Sequence, residues 1–176
     1  MPRVGIIGTA GRQGLDQQLN PLLFEKMVAE AHRIITEDWK LSPADVKLVS
    51  GGAAWADHVA VRLFSHAPYH YQSRVLHLPT RWNTATQRFS YHNKTGQAAN
   101  YYHRLFSDAL QGDSWHELQQ AMDLGAEVKD HYDAFYDRNE RVAQESEFLM
   151  AFTLVPGSEP APHSGTRYTW SHCPGQ

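Results

Sequence analysis

The fold is decided by residues 3–12, Arg-Val-Gly-Ile-Ile-Gly-Thr-Ala-Gly-Arg. The part from Arg3 to Thr9 predicts a short central strand, because its apolar residues are not interrupted by charge and suit a strand covered on both faces. A glycine-bearing loop, 8–12, follows this strand. A helix is predicted from about Pro21, since apolar residues recur after it at helical spacing. Strand, glycine loop and helix form the opening unit of an α/β fold.

The same unit recurs along the chain. A second strand is predicted at 46–49, followed by a helix over 54–65, and a third strand is predicted at 73–78. A helix over 134–145 leads into a fourth apolar strand, 148–153. Short apolar strands that alternate with helices are typical of a parallel sheet with right-handed crossovers. The sequence therefore predicts an α/β, Rossmann-like three-layer fold with a mainly parallel sheet, and such sheets bind ligands at the carboxyl ends of their strands.

The alternation stops at about 80–132, which predicts a helical insertion with helices over 97–109 and 114–124. This insertion mixes basic and aromatic residues, a composition that suits a lid over an anionic ligand or a dimer surface. Single-stranded nucleic acid also binds to basic grooves with stacking aromatic residues. The basic residues are Arg81, Arg88, His92, Lys94, His103 and Arg104, and the aromatic residues are Trp82, Phe89, Tyr91, Tyr101 and Tyr102.

Length and charge limit the class of protein. A chain of 176 residues predicts a single domain, 1–176, that buries about 70% of the surface exposed by its unfolded chain. The net charge of −3 argues against a protein that binds nucleic acid mainly by neutralising phosphates. Without a long apolar run or a leader-like segment, a cytoplasmic protein with no membrane partner is expected. The lone Cys173 and the scattered histidines predict no disulfide, metal site or cofactor.

Three glycine-bearing loops follow predicted strands, at 8–12, 50–54 and 164–166. Glycine lets backbone amides approach a ligand closely, and a helix that begins directly after such a loop presents free N–H groups to phosphate. For any one loop, a simple tight turn is the commoner explanation. Three such loops at one sheet edge predict an anion site, with Arg12 of the first loop among its candidate binding residues. The dinucleotide G-x-G-x-x-G pattern and the P-loop pattern are both absent from the sequence.

Five side chains near these loops are further candidates. Asp57 is predicted to accept hydrogen bonds from a ribose or to stabilise the start of its helix, and Trp55 to stack on a base or to fill the core. Arg138 is predicted to bind phosphate, and Asn139 to contact a base edge or hold a loop. Glu140 is a reserve acid, although residues around it also suit a solvated helix face.

Four segments together resemble one superfamily: 4–12, Val-Gly-Ile-Ile-Gly-Thr-Ala-Gly-Arg; 48–60, Leu-Val-Ser-Gly-Gly-Ala-Ala-Trp-Ala-Asp-His-Val-Ala; 138–152, Arg-Asn-Glu-Arg-Val-Ala-Gln-Glu-Ser-Glu-Phe-Leu-Met-Ala-Phe; and 164–170, Ser-Gly-Thr-Arg-Tyr-Thr-Trp. They resemble the SLOG superfamily, a Rossmann-like group that includes DNA-processing protein A and the LONELY GUY phosphoribohydrolases. Within it, small YspA-type proteins are the nearest match.

The resemblance implies a nucleotide or a nucleotide-derived ligand in the glycine-loop crevice and assigns Gly8, Thr9, Gly51, Gly52, Gly165 and Thr166 to its binding. We expect the protein to be a homodimer and a ligand sensor. An alternative is phosphoribohydrolase-like cleavage of a nucleotide N-glycosidic bond, with Arg138, Asp57 and Glu140 as the candidate catalytic residues. The position of the family's catalytic glutamate falls on Thr169, which argues against hydrolysis. A second alternative is a single-stranded nucleic-acid accessory protein, against which the net acidity weighs.

Overall fold

The structure, a computed structural model, describes residues 1–69, 71–132 and 134–174. Within these residues, five strands form a parallel sheet, two short strands form a hairpin, and six α-helices surround them. The sheet strands are β1 (Arg3–Gly8), β2 (Lys47–Ser50), β3 (Ser73–His77), β6 (Glu127–Lys129) and β7 (Phe148–Phe152), and the hairpin strands are β4 (Trp82–Asn83) and β5 (Arg88–Phe89). The helices are α1 (Pro21–Arg33), α2 (His58–Ser65), α3 (Lys94–Leu110), α4 (Ser114–Asp123), α5 (Phe135–Glu145) and α6 (Gly165–Ser171).

The strand order of the sheet is β6-β3-β2-β1-β7, with every neighbouring pair parallel. Val4 of β1 pairs with Leu48 of β2 on one side and with Phe148 of β7 on the other. The chain thus moves outward from β1 as far as β6 and then crosses back to add β7 beside β1. The strand order reverses next to β1, and ligands of open α/β sheets bind outside the carboxyl ends of strands at such a point.

Helices cover both faces of the sheet, as the uninterrupted apolar strands predict. Ile6 of β1 belongs to a core cluster with Phe24 of α1, whereas its neighbour Ile7 packs with Val142 of α5 on the opposite face. This alternation follows from the two-residue repeat of a strand. Each such side chain, once fully buried, contributes about 1.5–3 kcal/mol to folding. The predicted three-layer, Rossmann-like fold with a mainly parallel sheet is confirmed.

Local sequence signals set the starts of the long helices. The side chain of Asn20 accepts a hydrogen bond from the backbone N–H of Leu23, and Pro21 occupies the first turn of α1. Asn93 caps α3 in the same way through the N–H of Gly96, at 2.7 Å. None of the helices in the described residues has the length and apolarity needed to span a bilayer.

The structure differs from the prediction at the end of the insertion. Residues 127–129 form β6, the edge strand of the main sheet, in which Val128 pairs with Leu76. The segment inserted after β3 therefore ends before Glu127 rather than at 132. The sequence Glu-Val-Lys is too short and too polar to stand out as a strand, and only its place at the sheet edge makes it one.

Candidate functional site

A crevice lies at the carboxyl ends of β1, β2 and β3. The loops after these strands form its floor, and α3 of the insertion forms its roof. An aromatic ring at the start of α5 closes one side. The lining residues are Ala10, Arg12, Gly52, Ala53, Ala54, Pro79, Ala99, Tyr102, His103 and Phe135.

Arg12 is exposed and lines this crevice. Its guanidinium carbon lies 4.9 Å from the centre of the Tyr102 ring and 4.4 Å from that of the Phe135 ring. Both distances are within the range of cation–π attraction. The cavity has a volume of about 10 Å³, which is room for one water molecule. A larger ligand therefore requires some of the lining side chains to move.

The Gly51–Gly52 loop is held from below by a buried ion pair. Nη1 of Arg138 donates to the carbonyl oxygen of Gly51 and lies 3.5 Å from Oδ2 of Asp57. A Cβ atom on Gly51 would overlap both side chains, so glycine is required here by packing. Arg138 and Asp57 are 5% and 7% exposed, respectively. The structure thus brings three predicted site residues together, but places the guanidinium beneath the loop instead of in the crevice.

The surroundings of this pair oppose its ionisation. Burial raises the pKa of Asp57, while the Arg138 charge and backbone N–H groups of Ala53 and Gly51 counteract the shift. Burial likewise lowers the pKa of Arg138, and Asp57 counteracts that shift. Each group therefore depends on the other for its charge. Such a pair is suited to fixing a loop rather than to attacking a sugar.

The insertion is attached to the same loop by a buried histidine. Nε2 of His103 donates to the carbonyl oxygen of Gly52 at 2.9 Å, and Nδ1 accepts from the hydroxyl of Ser114 at 2.8 Å. Burial, helped by the nearby His58, lowers the pKa of His103 to about 3. The imidazole is therefore neutral at physiological pH, and its single N–H faces the Gly52 carbonyl, which only accepts.

The first glycine loop is tied to its neighbours through its backbone. A Cβ atom on Gly8 would overlap the carbonyl oxygen of Phe152, and the next N–H, that of Thr9, donates to this oxygen at 2.9 Å. The carbonyl of Thr9 accepts from the N–H of Ala56 at 3.1 Å. The loops after β1 and β2 therefore meet beside the last residue of β7 at one edge of the sheet.

Trp55 lies in the core. It is 1% exposed, and its ring centre lies 4.6 Å from that of Phe106 and 6.3 Å from that of Phe24. Of the two sequence interpretations, core packing and base stacking, this placement matches the first. The aromatic residues that line the crevice are instead Tyr102 and Phe135, and only the tertiary fold brings them next to Arg12.

The third loop lies away from the crevice. Ser164 caps α6 by accepting from the N–H of Arg167 at 3.0 Å, and Gly165 lies beside the side chain of Asn139. Gly165 and Thr166 are absent from the described crevice lining. Glu140 accepts a hydrogen bond from Gln144 on the same helix and is absent from that lining too. Asn139 of α5 and Gly165 of α6 therefore lie next to each other, and neither lines the crevice.

The chemistry available in the crevice is therefore limited. Its described lining holds one arginine, two aromatic rings, a neutral histidine and backbone groups, with no carboxylate among them. Such groups have the chemistry to contact an anionic, planar molecule, and none of them is a carboxylic acid. No metal-ligand cluster occurs in the described residues either.

The fold and the crevice define a parallel-sheet α/β protein with a small crevice at the carboxyl edge of its sheet. No protein-family model matches the sequence, and no solved structure matches it. The sequence is 30% identical over 171 residues to uncharacterized protein R261 of Acanthamoeba polyphaga mimivirus, an alignment that covers 96% of this chain and 89% of the viral protein. The chain belongs to the same family as this viral protein. The resemblance to the SLOG superfamily stays a prediction.

Proposed function

We propose that the protein binds a nucleotide or a nucleotide-derived ligand in the crevice and acts as a ligand sensor. The observation that carries this proposal is the arginine that lines the crevice, stacked on two aromatic rings above a glycine loop. A planar base suits the two rings, and a phosphate suits the arginine once the guanidinium has left them. The guanidinium of Arg12 covers the two rings when the ligand is absent, and the base covers them when it is bound.

Sensing is favoured over hydrolysis because of where the carboxylates lie. Asp57 is buried against Arg138, and Glu140 is bonded to Gln144 on its own helix. Cleavage of an N-glycosidic bond needs a group that stabilises the developing sugar cation or activates water. Binding of a ligand would instead open the crevice and shift α3, which carries Tyr102. The position of α3 would then report whether a ligand is bound.

The test measures binding of AMP, GMP, CMP and UMP by calorimetry and by the ligand-induced rise in melting temperature. A ligand at a hundred times its Kd stabilises the folded state by about 2.7 kcal/mol. We expect at least one monophosphate to bind more tightly than its nucleoside. Arg12→Ala should weaken the monophosphate about tenfold or more, the worth of a charged hydrogen bond, and leave the nucleoside unaffected or tighter.

Arg104→Ala is the matched control, because Arg104 also stacks on a tyrosine, Tyr101, at 5.3 Å, but does not line the crevice. It should bind nucleotides like the wild type. The proposal fails if no nucleotide stabilises the wild-type protein. Chromatographic detection of released base would favour the phosphoribohydrolase alternative, and salt-dependent binding of single strands would favour the nucleic-acid alternative.

A further inference from the structure

A second cavity, separate from the crevice, opens at the carboxyl ends of β3 and β6. It has a volume of about 280 Å³, enough for a small metabolite. Pro79 lines the crevice and the next residue, Thr80, lines this cavity, so the chain after β3 passes between the two. Its walls are polar. The lining residues are Thr80, Arg81, Ser90, His92, Asn93, Asp130, His131 and Tyr132.

A hydrogen-bonded chain of three side chains reaches this cavity. His77, the last residue of β3, is fully buried, with Nε2 3.0 Å from Oε2 of Glu145 and Nδ1 2.7 Å from the hydroxyl of Tyr132. The other oxygen of Glu145 accepts from Nζ of Lys129 at 2.5 Å. Although burial opposes it, these hydrogen bonds lower the pKa of Glu145, so the carboxylate is ionised.

The direction of each proton follows from this arrangement. A carboxylate only accepts, so the proton of neutral His77 is on Nε2, facing Glu145. Nδ1 is then an acceptor, and the hydroxyl of Tyr132 donates to it. A hydroxyl group, a histidine base within hydrogen-bond distance and an acid that orients the base are the three parts of an activated nucleophile or proton relay.

We propose that this cavity is a second site, which binds a hydroxyl-bearing anion of the sugar phosphate class and uses Tyr132 as its hydrogen-bond acceptor. The ligand hydroxyl donates to the phenol oxygen of Tyr132, the phenol donates to Nδ1 of His77, and Nε2 of His77 donates to Glu145. No covalent bond of the ligand is made or broken.

Arg81 is the cation that the cavity offers to an anion, and it is exposed beside His92. Asp130 is occupied by its neighbours: Oδ2 accepts from the N–H of Trp82 at 3.0 Å, and Oδ1 lies 3.2 Å from Nδ1 of His131. The phosphate would contact Arg81, and the sugar hydroxyl would extend toward Tyr132.

The test does not need the natural ligand. An aryl sulfonyl fluoride reacts with a tyrosine to form an aryl sulfonate ester, releasing fluoride while the phenol proton passes to the base. Site-resolved mass spectrometry of the wild-type protein should show Tyr132 labelled at least about a hundredfold faster than exposed Tyr91 and Tyr101, the low end of general-base catalysis. Glu145→Gln, which preserves shape at a partly exposed position, should remove most of this advantage.

His77→Gln should abolish the faster labelling of Tyr132. The labelling rate of Tyr91 is the internal control in both variants. The rate at Tyr132 should also fall as acid protonates His77, which is faced by Glu145, Lys129, Arg138 and Tyr132. Burial lowers the pKa of His77 against the opposing effect of Glu145, so this fall should lie below the ordinary range of histidine. Labelling of Tyr132 no faster than Tyr91, or unchanged in Glu145→Gln, overturns the relay.

Ligand class is tested by protection. Millimolar ribose 5-phosphate should slow labelling of Tyr132 in the wild type but not that of Tyr91, and Arg81→Ala should weaken the protection. Equal protection by inorganic phosphate would show that the sugar hydroxyl is not recognised and would overturn the assigned class. The assigned class would also be overturned if neither ribose 5-phosphate nor inorganic phosphate slowed the labelling of Tyr132. These outcomes are independent of nucleotide binding in the crevice.

Discussion

Arg74 is buried beside α2 without a counter-charge. It is 2% exposed, its guanidinium carbon lies 4.6 Å from the ring centre of Phe64, and none of its three nitrogens has a hydrogen-bond partner among the described residues. Burial lowers the pKa of Arg74 to about 9. A buried cation whose donors are unpaired costs several kcal/mol, and the stacking on Phe64 offsets only part of that cost.

Replacement of this arginine should therefore stabilise the protein. Arg74→Met retains most of the apolar stem and removes the unpaired charge, so we expect the free energy of unfolding to rise by about 1–3 kcal/mol in urea denaturation. Arg104→Met, at an exposed arginine, should change it by less than about 0.5 kcal/mol. A loss of stability in Arg74→Met would show that the guanidinium has an ionic partner in solution.

Helix α3 is connected to the sheet by polar contacts as well as by apolar packing. Asn100 pairs with both the N–H and the carbonyl of Phe89 and accepts from Nε1 of Trp115, which fixes the hairpin and α4 to α3. One turn further along, His103 donates to Gly52. The roof of the crevice is thus positioned by buried hydrogen bonds whose loss would leave polar groups unsatisfied.

The His103 contact makes the stability of this element depend on pH. Unfolded histidine has a pKa of about 6.5, whereas that of folded His103 is about 3, so the unfolded state binds the extra proton between these values. Above pH 6.5 the contribution is complete, and it falls as the pH drops, by up to about 1.4 kcal/mol per pH unit. Urea denaturation between pH 7 and pH 5 measures this slope.

In His103→Gln, nearly one proton fewer should be taken up on unfolding, so the unfolding free energy should depend less steeply on pH. Glutamine also donates a hydrogen bond but does not titrate. His66→Gln, at an exposed histidine, should keep the wild-type slope. Equal slopes in the wild type and His103→Gln would contradict the buried, neutral state of His103.

At the scale of the whole molecule, the ion pair between Asp57 and Arg138 joins two layers. Asp57 precedes α2 on one face of the sheet, and Arg138 belongs to α5 on the other, with Gly51 between them. The loop after β2, a strand in the middle of the sheet, lies within reach of helices on both faces. The pair therefore sets the geometry of the crevice floor from beneath.

Breaking the pair on either side should destabilise the protein strongly. Arg138→Met and Asp57→Asn should each cost about 3–5 kcal/mol, and the double variant should cost less than the two together. The exposed pair Arg33–Glu30, at 2.8 Å, is the matched control and should show a coupling below about 1 kcal/mol. If Arg138→Met kept its stability but lost nucleotide binding, Arg138 would be a ligand contact, as the sequence predicts.

The sequence by itself determined the layers, the parallel sheet and the meeting of the first two glycine loops, but not the third, at one edge. Each of these rests on local signals, namely apolar runs, turn residues and helix caps, which act over a few neighbouring positions. The homodimer expected from the sequence stays a prediction.

The tertiary structure decided the rest. It placed Arg138 beneath Gly51, Trp55 in the core, Arg12 over Tyr102 and Phe135, and the polar segment 127–129 at the sheet edge. It also joined His77 to Tyr132, which lies 55 positions later in the chain, and to Glu145, which lies 68 positions later. These contacts depend on chain segments that meet only after the sheet has formed, so no local pattern contains them.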